Sequence, residues 1–276
     1  MTGKVKLKEI IKKYNILPKK KLGQNFIFDF NILNKIVKNI LPVEGFTVIE
    51  IGPGPGGLTK AILDNSPKEL ILIEKDKAFK ETLENLIKKY PNTKTKLIIG
   101  DVLKINLDEL INSKTKLLSN LPYYISSQIL LKVIPLNKYV SEAVFTFQRE
   151  LADRIISKPY SKNYSRLSVV AQSVCQISKK QKLPATVFFP EPAVDSCVLK
   201  IESKSNIIVK DLEVLKSVTK KAFNQRRKQI RNSLKKIENI SFYLNELGLD
   251  DSTRAEDISV DLYCKLANLI LKDTKI

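Results

Sequence analysis

From about residue 45, short runs of aliphatic and β-branched residues alternate with stretches whose apolar positions recur every three or four residues. "FTVIEI" (46–51) reads as a buried strand, then a glycine-rich turn, then "GLTKAILDN" as a helix. "ELILIE" (69–74) predicts a second strand, followed by the helix "KAFKETLENLIKKY". "KLIIGD", "KLLSN" and "EAVFTFQ" supply three more strands, and "VCQIS" and "SCVLKIE" a closing pair around the proline-rich "LPATVFFPEPAVD". Strands that alternate with helices form right-handed βαβ units, so the predicted class is α/β, with a mostly parallel sheet covered on both faces. Beyond residue 203 the strand signals stop and the pattern turns helical. The expected division is an α/β domain over 1–203, carrying a basic N-terminal arm, and a small all-helical domain over 204–276.

Charge narrows the partners. The 276 residues carry 48 Lys and Arg against 29 Asp and Glu, a net charge of +19. Such an excess points to a polyanion, nucleic acid before membrane, although a Lys-rich surface that is merely solvated gives the same count. The chain has no His, which removes the commonest metal ligand and general base. Its three Cys (Cys175, Cys197 and Cys264) are far apart, so neither a zinc site nor a disulfide framework is expected, and no metal is assigned. Apolar runs are too short for a membrane span, and Lys interrupts the N-terminus too often for a signal peptide. The expected setting is the cytoplasm, without membrane association, and the expected state is a monomer.

Candidate chemistry gathers at the strand ends. "EIGPGPGGLT" contains G-x-G-x-x-G at Gly52, Gly54 and Gly57. It equally contains E-x-G-x-G-x-G at Glu50, Gly52, Gly54 and Gly56, the loop of S-adenosyl-L-methionine (SAM) enzymes. Either way, the missing Cβ atoms let backbone approach a ligand beside a helix N-terminus. Glu74 ends the second strand, where a carboxylate accepts ribose hydroxyls at a solvent-facing cleft. Asp101 ends the third, placed to accept from an adenine amine.

The fourth strand runs into "NLPYYIS". An adenine N6 amine is a poor nucleophile because its lone pair is delocalised into the ring. Asn120 offers a side-chain carbonyl, Leu121 a main-chain one, Pro122 a fixed turn without a competing N–H, and Tyr123 a face for stacking. Phe188 is a candidate for the opposite face of the base.

In the tail, "FNQRRKQIRNSL" predicts one amphipathic helix. Phe223, Ile230 and Leu234 fall on one side, and Lys221, Lys228, Arg231 and Lys235 on the other. With Arg226, these cations are the RNA-binding candidates. Residues 204–236 carry eleven basic and two acidic residues.

The strings "KKKLGQNFIFD", "IEIGPGPGGLT", "IEKD", "GD", "NLPYYIS", "YSRLSVVAQ", "FFPEPAVDS" and "FNQRRKQIRNSL" occur in family order from about 19 to 257. The chain closely resembles the small-subunit ribosomal RNA adenine dimethyltransferases. The resemblance implies a Rossmann-like SAM-dependent methyltransferase domain. The implied reaction is dimethylation of the N6 amines of two adjacent adenines in the 3′-terminal hairpin loop of small-subunit RNA, in the immature subunit. It further implies that Gln24, Asn25 and Ile27 line the SAM site with Gly52, Glu74, Asp101 and Asn120. Two positions depart from the family pattern: Tyr124, where Asn is frequent, and Ser165, where Gly is frequent. The macrolide-resistance methyltransferases of large-subunit RNA share "QNF" and N-x-P-Y. The alternatives are a DNA adenine methyltransferase and an RNA-binding assembly factor with a vestigial site.

Overall fold

The computed structural model describes residues 18–19, 22–226, 228–250 and 252–273, so most of the basic N-terminal arm lies outside the described residues. The described chain divides into two compact units. One runs to Ala152 and adds Ser178–Glu202; the other comprises Asp153–Ile177 and the residues from Ser203 onward.

The first unit contains β1 (Phe26–Ile27), α1 (Phe30–Val37), β2 (Thr47–Ile51), α2 (Gly57–Leu63), β3 (Glu69–Glu74), α3 (Lys80–Ile87) and β4 (Lys94–Ile99). It continues through β5 (Thr115–Asn120), α4 (Ser126–Val133) and β6 (Val140–Gln148), and α5 (Arg149–Ile155) leads the chain out. In the second unit α6 (Arg166–Val174) precedes β7 (Cys175–Leu183), whose greater part returns to the first unit, with β8 (Phe188–Phe189) and β9 (Ser196–Ser203). The tail holds α7 (Leu212–Asn224), α8 (Ile230–Leu234), α9 (Ile240–Glu246) and α10 (Val260–Asp273).

Seven strands form one sheet in the order β4-β3-β2-β5-β6-β9-β7. The five from β4 to β6 are parallel, and β9 is antiparallel to β6. Every residue of β2 is buried, as both-face coverage of a parallel strand requires. The strand order reverses direction beside β2, so the carboxyl ends of β2 and β5 flank the crevice where such sheets bind ligands. The expected α/β sheet and closing strands are present, with β9 between β6 and β7. The sequence pattern did not reveal the two-stranded ribbon of β1 and β8, in which Ile27 pairs with Phe188. Two-residue strands carry no periodicity.

The second unit differs from the expected division, because residues 153–177, assigned above to the α/β domain, cluster with the tail helices. Helices α6, α7 and α10 pack on one another. The Phe223 ring lies edge-on to Tyr164 at 6.0 Å and tilted against Tyr263 at 5.9 Å. Tyr164 and Tyr263 donate their hydroxyls to the carbonyls of Ile258 and Ala255, at 3.0 and 2.8 Å. The "RAEDIS" segment is thereby clamped from within.

The predicted single tail helix is two. Helix α7 ends at Asn224, and α8 starts at Ile230, whose N–H bonds Thr253 O at 2.8 Å. A tertiary partner replaces the i−4 carbonyl there. The inside–outside division nevertheless holds: Ile230 and Leu234 are fully buried, while Lys221, Lys228, Arg231 and Lys235 are exposed.

Candidate active site

A pocket opens at the carboxyl ends of β2, β3 and β5, walled by the 22–27 segment, the glycine-rich turn and the 120–125 turn. All of Gln24, Asn25, Ile27, Glu50, Gly52, Gly54, Glu74, Asp101 and Asn120 line it.

The turn after β2 needs its glycines for conformation. Gly52 and Gly54 have φ of 68° and 55°, a region that side chains avoid. A Cβ on Gly54 would come within 2.7 Å of the Phe26 ring.

Glu74 secures that turn. Its Oε2 accepts the Gly54 N–H at 2.9 Å and its Oε1 the Asp76 N–H at 2.6 Å. The residue is 5% exposed, so the solvent-facing position expected from the sequence is corrected: Glu74 is buried, and burial raises its pKa against the two backbone hydrogen bonds. Each oxygen still holds lone pairs that ribose hydroxyls can use. Glu50 is deeper. Burial pushes its pKa up to about 8, opposed by the Thr59 hydroxyl, which donates to it at 2.7 Å.

Asp101 accepts Leu103 N–H at 3.0 Å and pairs with Lys75 Nζ at 2.9 Å; the Lys75 hydrogen bond holds its carboxyl below the usual range. Gln24 is fixed by Asp76, whose buried carboxylate accepts both Gln24 Nε2 at 3.0 Å and Lys19 Nζ at 2.7 Å.

Asn120 is held at both ends of its amide. Nδ2 donates to Asn25 O at 2.9 Å, and Oδ1 accepts from Thr146 Oγ1 at 2.6 Å. A main-chain carbonyl only accepts, so the atom facing Asn25 O must be the nitrogen, which fixes the oxygen. Asn25 in turn donates to Gly23 O at 3.1 Å. Leu121 and Pro122 also line the pocket, and Pro122 starts the tight turn over Tyr123–Ile125.

Tyr123 is half-buried and does not line this pocket; its hydroxyl is 2.6 Å from Ser196 Oγ, and burial raises its pKa. Phe188, expected on the face of the base opposite Tyr123, is instead turned into the core. Phe188 is 4% exposed, belongs to the hydrophobic core, and meets the Tyr123 ring edge-on at 6.5 Å. Its pairing with Ile27 in the short ribbon turns it inward.

Tyr124 lines the pocket mouth and packs against Gly23, where a Cβ would come within 2.9 Å of the ring. Ser165 has an extended φ of −155° and forms a capping box with Ser168, so its side chain is accommodated without strain.

In the second unit, Lys221, Lys228, Lys235, Lys236 and Arg254 line a groove together with amide and hydroxyl side chains, and no carboxylate among the described residues lines it. Arg231 is exposed but outside the groove. Arg226 is different: its Nε bonds Glu256 at 2.5 Å and Nη2 reaches Ser161 O at 3.3 Å, so it ties the unit together.

Sequence reasoning missed Thr146, Ser196 and Asp76. Each acts through a partner distant in sequence. The only signal for Thr146 was the strand register that sets it opposite Asn120. Among the described residues, no group of three or more Cys, Asp or Glu is placed to hold a metal, and no helix is long and apolar enough to cross a membrane.

A parallel sheet with a glycine-rich turn after its central strand, acids at the next two strand ends and an oriented amide at the fourth defines a nucleotide-cofactor methyltransferase. Residues 15–272 match the family model described as ribosomal RNA adenine dimethylase. Among curated proteins, the chain is 39% identical over 260 residues to "Ribosomal RNA small subunit methyltransferase A" of Wolbachia sp. subsp. Drosophila simulans (strain wRi), covering 94% of this chain and 95% of that protein. It is 38% identical over 270 residues to the protein of the same name in Brucella abortus biovar 1, covering 96% and 97%. A dimethyladenosine transferase from Plasmodium falciparum has the same fold, with TM-score 0.75 at 23% identity over 90% of this chain and 98% of that one. The 23S rRNA methyltransferase ErmE shares the fold at TM-score 0.67 and 20% identity, over 89% and 99%. The chain belongs to the ribosomal RNA adenine dimethylase family. Its cofactor is SAM, and the pocket's backbone amides, buried carboxylate and acid at the third strand end fit that molecule.

Proposed function

We propose that the protein transfers methyl groups from SAM to the N6 amines of two adjacent adenines in the 3′-terminal hairpin loop of small-subunit ribosomal RNA. The observation that carries this reading is the fixed Asn120 amide at the edge of the cofactor pocket. Its oxygen keeps a lone pair after accepting from Thr146. That lone pair and the Leu121 main-chain carbonyl accept the two N–H groups of the amine in the first transfer, and one of them accepts the single N–H that remains in the second, which localises the nitrogen lone pair as the tetrahedral form develops; each transfer displaces one proton to solvent. Pro122 offers no competing donor. Tyr123, tethered through Ser196, presents its ring to the base. SAM supplies an electrophilic methyl group on its sulfonium. Preorganised neutral acceptors and positioning supply the rate, so a chain without His is equipped for the reaction.

The names of the curated relatives support the small subunit as substrate. The basic groove supports a phosphate-contacting role for Lys221, Lys228 and Lys235, positioning RNA without reading its sequence. The test is Asn120→Ala: turnover at saturating SAM should fall by about two to three orders of magnitude. Near-normal turnover in that variant would remove Asn120 from the acceptor role.

A further inference from the structure

The loop between α5 and α6 presents Tyr160 to solvent. The residue is 79% exposed, the most exposed large apolar side chain among the described residues, and its φ is +63°. Aromatic residues avoid that conformation. The loop is held in it by a set of hydrogen bonds. Tyr160 N–H donates to Glu256 O at 2.9 Å. Ser161 O accepts from Arg226 Nη2 at 3.3 Å, and Ser161 Oγ donates to Lys158 O at 2.7 Å. Gln172 Nε2 donates to the carbonyls of Ile155 and Ser157, each at 2.8 Å.

Two of those anchors are close in sequence to residues that line the basic groove, although neither lines it. Glu256 lies two residues beyond Arg254, and Arg226 lies between Gln225 and Lys228; Arg254, Gln225 and Lys228 all line the groove. Lys158 and Lys162 stand two residues to either side of Tyr160 in sequence and are exposed. An uncovered aromatic on a backbone anchored near a cationic groove is the arrangement with which proteins bind unpaired nucleic acid: the groove tracks phosphates and the ring stacks a base. A phenol loses little freedom on stacking, because only two side-chain torsions are involved.

We infer that Tyr160 is a stacking platform for an unpaired base of RNA whose backbone lies along the groove of the second unit. This deepens the proposed RNA-binding role of that groove and rests on it. Strain at a solvent-exposed site persists only where the surrounding contacts enforce it, and it clusters where ligands are met.

The test uses the full chain, a short fluorescein-labelled single-stranded RNA and its duplex form. Tyr160→Gly relieves the backbone and should raise the melting temperature. The same variant should bind the single strand roughly tenfold more weakly, the scale of one lost base stack. Duplex and SAM affinities should be unchanged, and Tyr160→Phe should bind both RNAs as the parent does. Parent-like single-strand binding by Tyr160→Gly, beside weakened binding when Lys221, Lys228 and Lys235 become Gln, overturns the platform and leaves the groove. Unaltered binding in both variants overturns the groove and the platform with it. Equal losses on single strand and duplex also overturn the platform, since paired bases cannot stack on it.

Discussion

Thr146 Oγ1 donates a 2.6 Å hydrogen bond to Asn120 Oδ1, directly across the register that joins β6 to β5. Thr146 is fully buried, and its hydroxyl holds the oxygen of the acceptor amide that the Asn25 carbonyl orients. Thr146→Val keeps the shape and removes the donor. Turnover should fall about ten- to a hundredfold, as for small misplacements of a reacting group. SAM affinity should be nearly unchanged. The loss should be smaller than in Asn120→Ala, and the double variant should be no worse than Asn120→Ala alone, because both act on one amide. Single-turnover kinetics checks this, and additive losses would separate the two residues.

Glu74 predicts a contrast between two substitutions. Glu74→Gln keeps an acceptor for only one of the Gly54 and Asp76 N–H groups, because its amide nitrogen donates; it should weaken SAM binding by roughly 1–3 kcal/mol and cost less stability than Glu74→Ala. Glu74→Ala releases both the Gly54 and Asp76 amides and should also destabilise the fold by about 1–3 kcal/mol. Calorimetric titration with SAM and thermal melts of both variants measure the two effects. A melt of Glu74→Ala equal to that of Glu74→Gln would show that the carboxylate does not pin the turn.

Glu50 gives a pH signature. Its pKa rises from 4.5 to about 8 on folding, chiefly by burial. The folded state therefore holds this proton more tightly than the unfolded state. The stabilising contribution is complete below the unfolded value and is lost as pH climbs from about 4.5 toward 8. Glu50→Gln cannot titrate and still accepts from Thr59. Its stability relative to the parent should rise across that interval, by about a few kcal/mol in all. Denaturant melts at several pH values check this. A parent-minus-variant difference flat with pH contradicts the assignment.

Tyr123 links the acceptor turn to the "FFPEPAVDS" segment through Ser196. Tyr123→Phe retains the ring and loses the tether, so turnover should drop by less than in Tyr123→Ala but should not be silent. Ser196→Ala should reproduce the Phe effect. A steady-state comparison of the three variants decides it. If Ser196→Ala behaves as the parent while Tyr123→Phe is impaired, the hydroxyl acts on substrate rather than on Ser196.

Much of this was legible in the chain. The β2, β3 and β5 strands, the glycine turn, Glu74, Asp101 and Asn120 announced themselves because period, punctuation and strand-end chemistry are local signals. What stayed hidden was long-range. The break between α7 and α8 follows from Ile230 finding Thr253 and Arg226 finding Glu256, partners with no periodic trace. Phe188 read as a pocket residue because aromatic composition cannot tell which way a two-residue strand faces. Residues 153–177 carry ordinary helix and strand patterns, so nothing local assigned them to the second unit.

The central claim is the identity of acceptor and product. The direct measurement incubates the full chain and methyl-tritiated SAM with immature small subunits, large subunits or DNA, then digests the nucleic acid and identifies the labelled nucleoside by mass spectrometry. The account predicts label in small-subunit RNA alone, recovered as N6,N6-dimethyladenosine from two adjacent positions and formed about two to three orders of magnitude more slowly by Asn120→Ala. Label in large-subunit RNA or DNA, or on any atom other than adenine N6, would contradict it.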